Sequence, residues 1–168
     1  LFPYTTLFRS QEMRRTISMA SVLHDIGKME IGEQVLNSPE PRTPEDEEIM
    51  RQHTLLGARM LEELDAYRDE DFVRVAYQIC RWHHERYDGS GYPDQLVGEQ
   101  IPIAAQVVGL ADAYETLTTG SGSQPPVPCA AAVQMLCTGE AGAFNPVLLD
   151  CLREIENEID DAMRRRPE

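Results

Sequence analysis

The chain has 168 residues, 29 acidic against 15 basic, and a net charge of −14, which by length is one domain or one domain with a short appendage. Such a field repels phosphate polymers and anionic lipid, so it argues against a nucleic-acid binder or a membrane-surface protein. A small phosphorylated ligand stays admissible where metal or buried cations invert the field locally, and the 42% apolar content is that of a globular chain.

The opening LFPYTTLFRS matches, codon for codon, the in-frame translation of a common short-read sequencing adaptor. Residues 1–10 are therefore expected to be foreign to the fold, with the native chain cut open at Gln11. From Met13 the pattern turns helical: Ile17, Ala20 and His24 share a face, and Gly27 offers a stop. Gly32, Asn37, Pro39 and Pro41 punctuate a loop with room for one helical turn. Thr43-Pro44-Glu45-Asp46 then starts a helix, with a Thr cap, proline in the first turn and acids at the positive dipole end. Ile49, His53, Leu56, Met60 and Leu64 follow on one face of that helix.

A third helix is predicted from Asp71, with Val73, Ala76, Cys80 and His83 or His84 on one side. DGSGYP (Asp88–Pro93) is a loop. Ile101–Leu117 reads as an apolar helix interrupted by the acid Asp112. Residues 119–128 form a Gly/Ser/Pro segment, extended or mobile. A final helix opens at Asn145-Pro146, with Leu148, Leu152, Ile155, Ile159 and Met163 facing inward. The chain reads all-α: a helical core over 11–118, the flexible segment 119–128, and C-terminal helices of the same domain over 129–168. No apolar run reaches the roughly eighteen residues needed to span a bilayer, and no signal peptide is recognisable. The four cysteines show neither a CxxC pair nor a short zinc spacing and read as reduced core thiols of a cytoplasmic protein.

The chemistry sits in the histidines. All four (His24, His53, His83 and His84) fall on an apolar face or at the end of a predicted helix. Asp25 adjoins the first, and Asp112 lies within an apolar helix. Burying such carboxylates without cations costs several kcal/mol each. The single lysine, Lys28, is a meagre counter-charge. Divalent metals would supply the rest, and a His/Asp mixture suits Mn, Fe, Co, Ni or Zn rather than Ca. Two metals bridged by an aspartate can clamp both oxygens of an in-line phosphoryl displacement, so a polynuclear metal hydrolase is the sharp reading and a buried polar network the bland one.

HDIGK (His24–Lys28), His53, HHERYDGSGYP (His83–Pro93) and IPIAAQVVGLADAYETLT (Ile101–Thr118), in that order, resemble the HD-GYP family. The resemblance covers Arg14–Thr118 and, more weakly, GAFNPVLLDCL (Gly142–Leu152). It implies an all-helical HD-domain bundle with a two- or three-metal site of iron or manganese. The activity it implies is hydrolysis of cyclic di-GMP, the bacterial second messenger, to pGpG or GMP by metal-activated hydroxide. Carried across by motif, His24, Asp25, His53, His83, His84 and Asp112 are metal ligands, with Asp25 the bridge. Asp25 and Lys28 are the catalytic residues. Arg86, Gly89, Gly91, Tyr92 and Pro93 meet the substrate. Physics agrees for the loop, where glycines let backbone approach a phosphate and Tyr92-Pro93 makes a rigid wall.

Two departures from the family stand out. Its members carry a further His, and in three-metal members a Glu, on a helix upstream of HDxGK, which this chain is expected to lack. After the segment matching LTT they carry cations that help hold substrate, where this chain reads Gly120-Ser121-Gly122-Ser123-Gln124-Pro125. The alternatives are a catalytically impaired module that binds nucleotide or a partner protein, and another HD-family nucleotide phosphohydrolase. Partners are expected to be a cyclic dinucleotide and an upstream sensor or receiver domain, with no nucleic-acid polymer and no membrane.

Overall fold

The computed structural model describes residues 10–38, 42–67, 70–120 and 124–164. Residues 1–9 of the expected foreign stretch and 121–123 of the Gly/Ser/Pro segment lie outside them. Among the described residues all regular structure is helical, and an isolated antiparallel bridge joins Asp88 and Val97. No helix among them is long and apolar enough to cross a membrane.

Helix α1 (Gln11–Ala20) is capped by Ser10, whose hydroxyl accepts from the Met13 amide at 3.0 Å, and it buries Ile17 and Ala20 as the periodicity requires. It stops before His24. Two short 3₁₀ turns, Ser21–Leu23 and Ile26–Glu30, carry His24 and Asp25 between them. Gly27 is a point of contact rather than a stop: a Cβ there would lie 2.0 Å from the His53 carbonyl oxygen and 2.4 Å from the Gly57 amide. The predicted single helical turn is α2 (Glu33–Leu36).

The helix predicted from Thr43 is two helices. α3 (Pro44–Arg51), capped by the Thr43 hydroxyl, breaks at Gln52, and α4 (His53–Glu62) follows. The expected apolar face shifts with the break. Ile49 and Leu64 are 40% and 44% exposed, while His53, Thr54, Gly57, Ala58 and Leu61 are buried. The small residues Gly57 and Ala58 let α4 settle against the HDIGK turn, and that close approach outweighs burial of the larger side chains.

Helix α5 (Asp71–Trp82) buries Ala76 and Cys80 on the predicted face, with His83 buried just beyond it, and widens that face with Val75 and Ile79, while Val73 is only half-buried. After the Asp88–Pro93 loop, α6 (Ile103–Thr119) runs to Gly120, which closes it at φ +81°. α7 (Cys129–Thr138) and α8 (Pro146–Glu154, capped by the Asn145 side chain) follow, then α9 (Glu156–Arg164). The predicted final helix is thus also divided, at Ile155, which is 43% exposed while Ile159 packs inward. The Met163 side chain lies outside the described residues.

Two cores share α6. Its Ala104 and Val108 pack with Ile17, Leu61, Val75 and Ile79, whereas its Leu110 and Tyr114 pack with Val133, Leu136 and Phe144. Asp112 lies on the same helix, part-buried, facing His24.

Candidate metal centre

His24, His53 and His83 are oriented in the same way. Each ring Nδ1 lies at hydrogen-bond distance from a backbone carbonyl about one turn earlier: Ser21 at 2.8 Å, Met50 at 2.7 Å and Ile79 at 2.9 Å. A carbonyl can only accept, so each Nδ1 carries the proton, and the neutral rings of His53 and His83 present a bare Nε2. The Nε2 atoms of His53 and His83 stand 3.4 Å apart. Asp25 Oδ1 is 3.3 Å from the first and 3.9 Å from the second, and it has no hydrogen-bond partner. Three lone-pair donors therefore converge with no proton among them.

His84 joins this group, with its ring 4.0 Å from that of His83 and 5.1 Å from that of His53, centroid to centroid. One ligand atom from each of Asp25, His53, His83 and His84 falls within 4.8 Å of the others. Such a set suits a divalent cation, and the outer carbonyls give His53 and His83 the support metal-binding histidines usually have. The residues fit a borderline-hard transition metal.

Asp25 faces a second set through its other oxygen. Oδ2 accepts from Lys28 Nζ at 2.5 Å and lies 3.3 Å from His24 Nε2, which is 3.7 Å from Asp112 Oδ1. His24 thus meets Asp25 at Oδ2 while His53 and His83 face Oδ1, and the His24 ring also packs edge-on against that of His83, with centroids 5.2 Å apart. The electrostatics divide along the same line. Burial pushes the His83 imidazole down to about 3 and lowers His53 and His84 too. The hydrogen bond to Asp25 raises His24. Burial pulls Asp25 upward, but bonding to His24 and Lys28 prevails and holds it well below the carboxylate range. Asp112, with His24 as partial compensation, is raised by burial.

Two glycines back the histidines. Gly27 presses on the His53 carbonyl, and a Cβ on Gly109 of α6 would stand 2.2 Å from the His83 carbonyl oxygen. The role of Gly109 was not legible in the motif, nor was that of Glu85. The buried Glu85 carboxylate accepts from the Asp94 amide at 2.7 Å and the Leu96 amide at 3.0 Å, folding the loop back on itself. Gly91 makes this possible, since a Cβ there would lie 2.3 Å from the Arg86 amide. Asp94 closes the turn through Arg81 and Trp82, both at 2.7 Å.

Of the loop residues predicted to meet substrate, Tyr92 reaches the histidines, stacking on His84 at 4.9 Å. Pro93 follows it, and Gly89 turns the loop at φ +82°. Arg86 Nη1 donates to the Glu85 carbonyl at 3.1 Å, its guanidinium lies 4.9 Å over Phe144, and it is close enough to Tyr92 and Asp112 to interact with both electrostatically.

A family profile for the HD domain matches residues 5–147, and the chain belongs to that family. It is 34% identical over 149 residues to a cyclic di-GMP phosphodiesterase of Thermotoga maritima, covering 89% of this chain and 39% of the relative. A cyclic di-GMP phosphodiesterase response regulator of Xanthomonas campestris is 37% identical over 85% of this chain and 37% of the relative. A 3'3'-cGAMP-specific phosphodiesterase of Vibrio cholerae is 31% identical over 82% of this chain and 26% of its own length. The chain spans well under half the length of these relatives. They bear out the HD-GYP recognition drawn from HDIGK and HHERYDGSGYP.

Proposed function

We propose that this domain is a metal-dependent phosphodiesterase that opens a cyclic dinucleotide, cyclic di-GMP foremost, to its linear product. The observation that carries this reading is the convergence of bare His53 Nε2, bare His83 Nε2 and unpartnered Asp25 Oδ1. Asp25, His53, His83 and His84 would hold one divalent ion. Asp25, His24 and Asp112 would hold a second, with Asp25 shared between them, and iron or manganese suits the donors. Bound there, divalent ions supply Lewis acidity toward a phosphoryl oxygen and a water nucleophile at neutral pH.

The chain's own residues do the rest. Lys28, held on Asp25, brings a positive charge to the side where negative charge develops. Tyr92, backed by His84, offers a flat wall beside the ligands, and the Gly89–Pro93 turn sets its position. The three relatives described above are named for cyclic dinucleotides, which supports the substrate class. Arg86 enters as a support of the loop that carries Tyr92.

The test is hydrolysis of cyclic di-GMP by this chain, purified anaerobically and loaded with Fe(II) or Mn(II), beside a His24→Ala, Asp25→Ala variant. Conversion to pGpG or GMP that disappears in the variant is the expected result. Tight binding without turnover would instead favour a nucleotide-sensing module, a reading to which the cation-free Gly120–Pro125 stretch lends support.

A further inference from the structure

A cyclic dinucleotide carries two phosphodiesters, and metals at the histidine cluster can neutralise only the one being cleaved. The other needs a cation from the chain, in a protein whose net charge is −14. Lys28 is committed to Asp25, and Arg86 is half-buried with Nη1 on the Glu85 carbonyl, whereas Arg51 is exposed. Arg51, the last residue of α3, is placed otherwise. Its guanidinium lies over the Tyr92 ring at 5.1 Å, on a ring that itself stacks on His84. Tyr92 thus contacts both a ligand imidazole and the Arg51 guanidinium.

An aromatic face holds a guanidinium without using its in-plane N–H donors, which stay available to an oxyanion. The neighbouring carboxylate, Glu47, approaches Nε at 3.7 Å, beyond hydrogen-bond length, and the Arg51 side chain is 47% exposed. The Gln52 break matters here. It ends α3 at the mouth of the site, so that Arg51 projects over the loop while His53, two residues on, is buried.

Resting on the phosphodiesterase reading, we infer that Arg51 is a substrate-binding residue that contacts the phosphodiester not being cleaved, steadied on Tyr92. It would supply the charge that Gly120–Pro125 does not.

Arg51→Ala and Arg51→Lys are compared with the parent chain, all loaded with Mn(II) to equal metal content. The substrates are cyclic di-GMP, with two phosphodiesters, and bis(p-nitrophenyl) phosphate, with one. Arg51→Ala should raise KM for cyclic di-GMP by about tenfold or more, the loss expected of one charge-assisted hydrogen bond, with kcat moving less. Arg51→Lys should recover part of that loss. The dependence of KM on salt should flatten in Arg51→Ala, a change that a merely structural role does not produce. Equal losses on the two substrates, or an unchanged KM for cyclic di-GMP, would overturn the inference.

The outcomes also separate this inference from the reading it rests on. A parent chain that binds cyclic di-GMP without turning it over removes the hydrolase reading alone. Calorimetric affinity of Arg51→Ala then decides, weaker binding upholding the role of Arg51 and equal binding ending it. A parent that does not bind cyclic di-GMP at all overturns both.

Discussion

The two ends of this domain are built to different tolerances. In the first, the HDIGK turn, α4, α5 and the start of α6 meet backbone to backbone, with Gly27 on the His53 carbonyl and Gly109 on the His83 carbonyl. In the second, α7, α8 and α9 meet through side chains such as Val133, Leu136 and Leu152, beside an apolar groove of about 1240 Å³ along α6 and α8. Histidines that must converge within a few tenths of an ångström are held by elements that cannot slide. The C-terminal helices need only cover apolar surface, and their exact placement is less constrained.

The largest effect should come from Asp25, where both sets of ligands meet. Asp25→Ala removes a carboxylate that faces both His53 and His83 through one oxygen and His24 through the other. Phosphodiesterase activity should fall by about a thousandfold or more, and bound metal measured by elemental analysis should fall with it. Activity lost with the metal content intact would confine Asp25 to chemistry rather than coordination. Gly27→Ala comes next. Its Cβ would meet backbone at 2.0 Å, which a rotamer change cannot relieve, so a loss of about 3 kcal/mol or more is expected. In thermal melts that is a drop of about 6–12 °C. A melt within a degree or two of the parent would show that the HDIGK turn is free to move.

The loop sits between these two regimes. Glu85→Ala leaves the Asp94 and Leu96 amides without their acceptor, at a cost of about 1–3 kcal/mol. Faster amide exchange confined to residues near 94–96 would report it. Uniform exchange changes across α5 and α6 would mean that Glu85 supports the whole core instead.

Acid should act on the first region alone. His83 titrates at about 3 when folded against an ordinary 6.5, so between those values the unfolded chain holds the extra proton. Stability of the metal-free protein therefore rises with pH through that window and falls as pH drops below about 6.5. His53 and His84, also lowered, act with the same sign, while His24 and Asp112, both raised, act against it; the three lowered imidazoles set the expected direction. Chelator-treated protein should melt at a lower temperature at pH 5 than at pH 7.5, and His83→Gln should flatten the slope. A higher melting temperature at pH 5 would contradict the neutral, buried imidazoles on which the metal centre rests.

What the sequence made legible follows from the range of each interaction. The helix caps at Thr43 and Asn145, the all-α class and the loop at Asp88–Pro93 are written in neighbouring residues, and the structure has them. The ligand candidates were legible because histidine and aspartate on apolar faces are costly without a purpose. The breaks at Gln52 and Ile155 were not, because neither residue is a helix breaker and periodicity runs through both. Gly27 looked like a terminator, since nothing local distinguishes a glycine that ends a helix from one that admits another backbone. Glu85, next to two histidines, could have been singled out as a charge in an apolar setting. Arg51 could not, because its partner Tyr92 is forty-one positions away and the two meet only after α3 stops short.

The smallest expected effect lies in the second region and isolates what space, rather than conformation, contributes at Gly27. Gly139 follows α7 in the left-handed region at φ +83°, and nothing stands within 4 Å of where its Cβ would be. A substitution there meets a dihedral cost but no collision. Gly139→Ala should therefore cost about 1 kcal/mol, and Gly139→Asn less, because asparagine tolerates this conformation at a helix end. At Gly27 the order should vanish, since alanine and asparagine both carry the Cβ that meets the His53 carbonyl. Melting temperatures of the four variants make the comparison. An alanine-to-asparagine gap at Gly27 as large as that at Gly139 would mean conformation, not contact, governs the turn that carries His24 and Asp25.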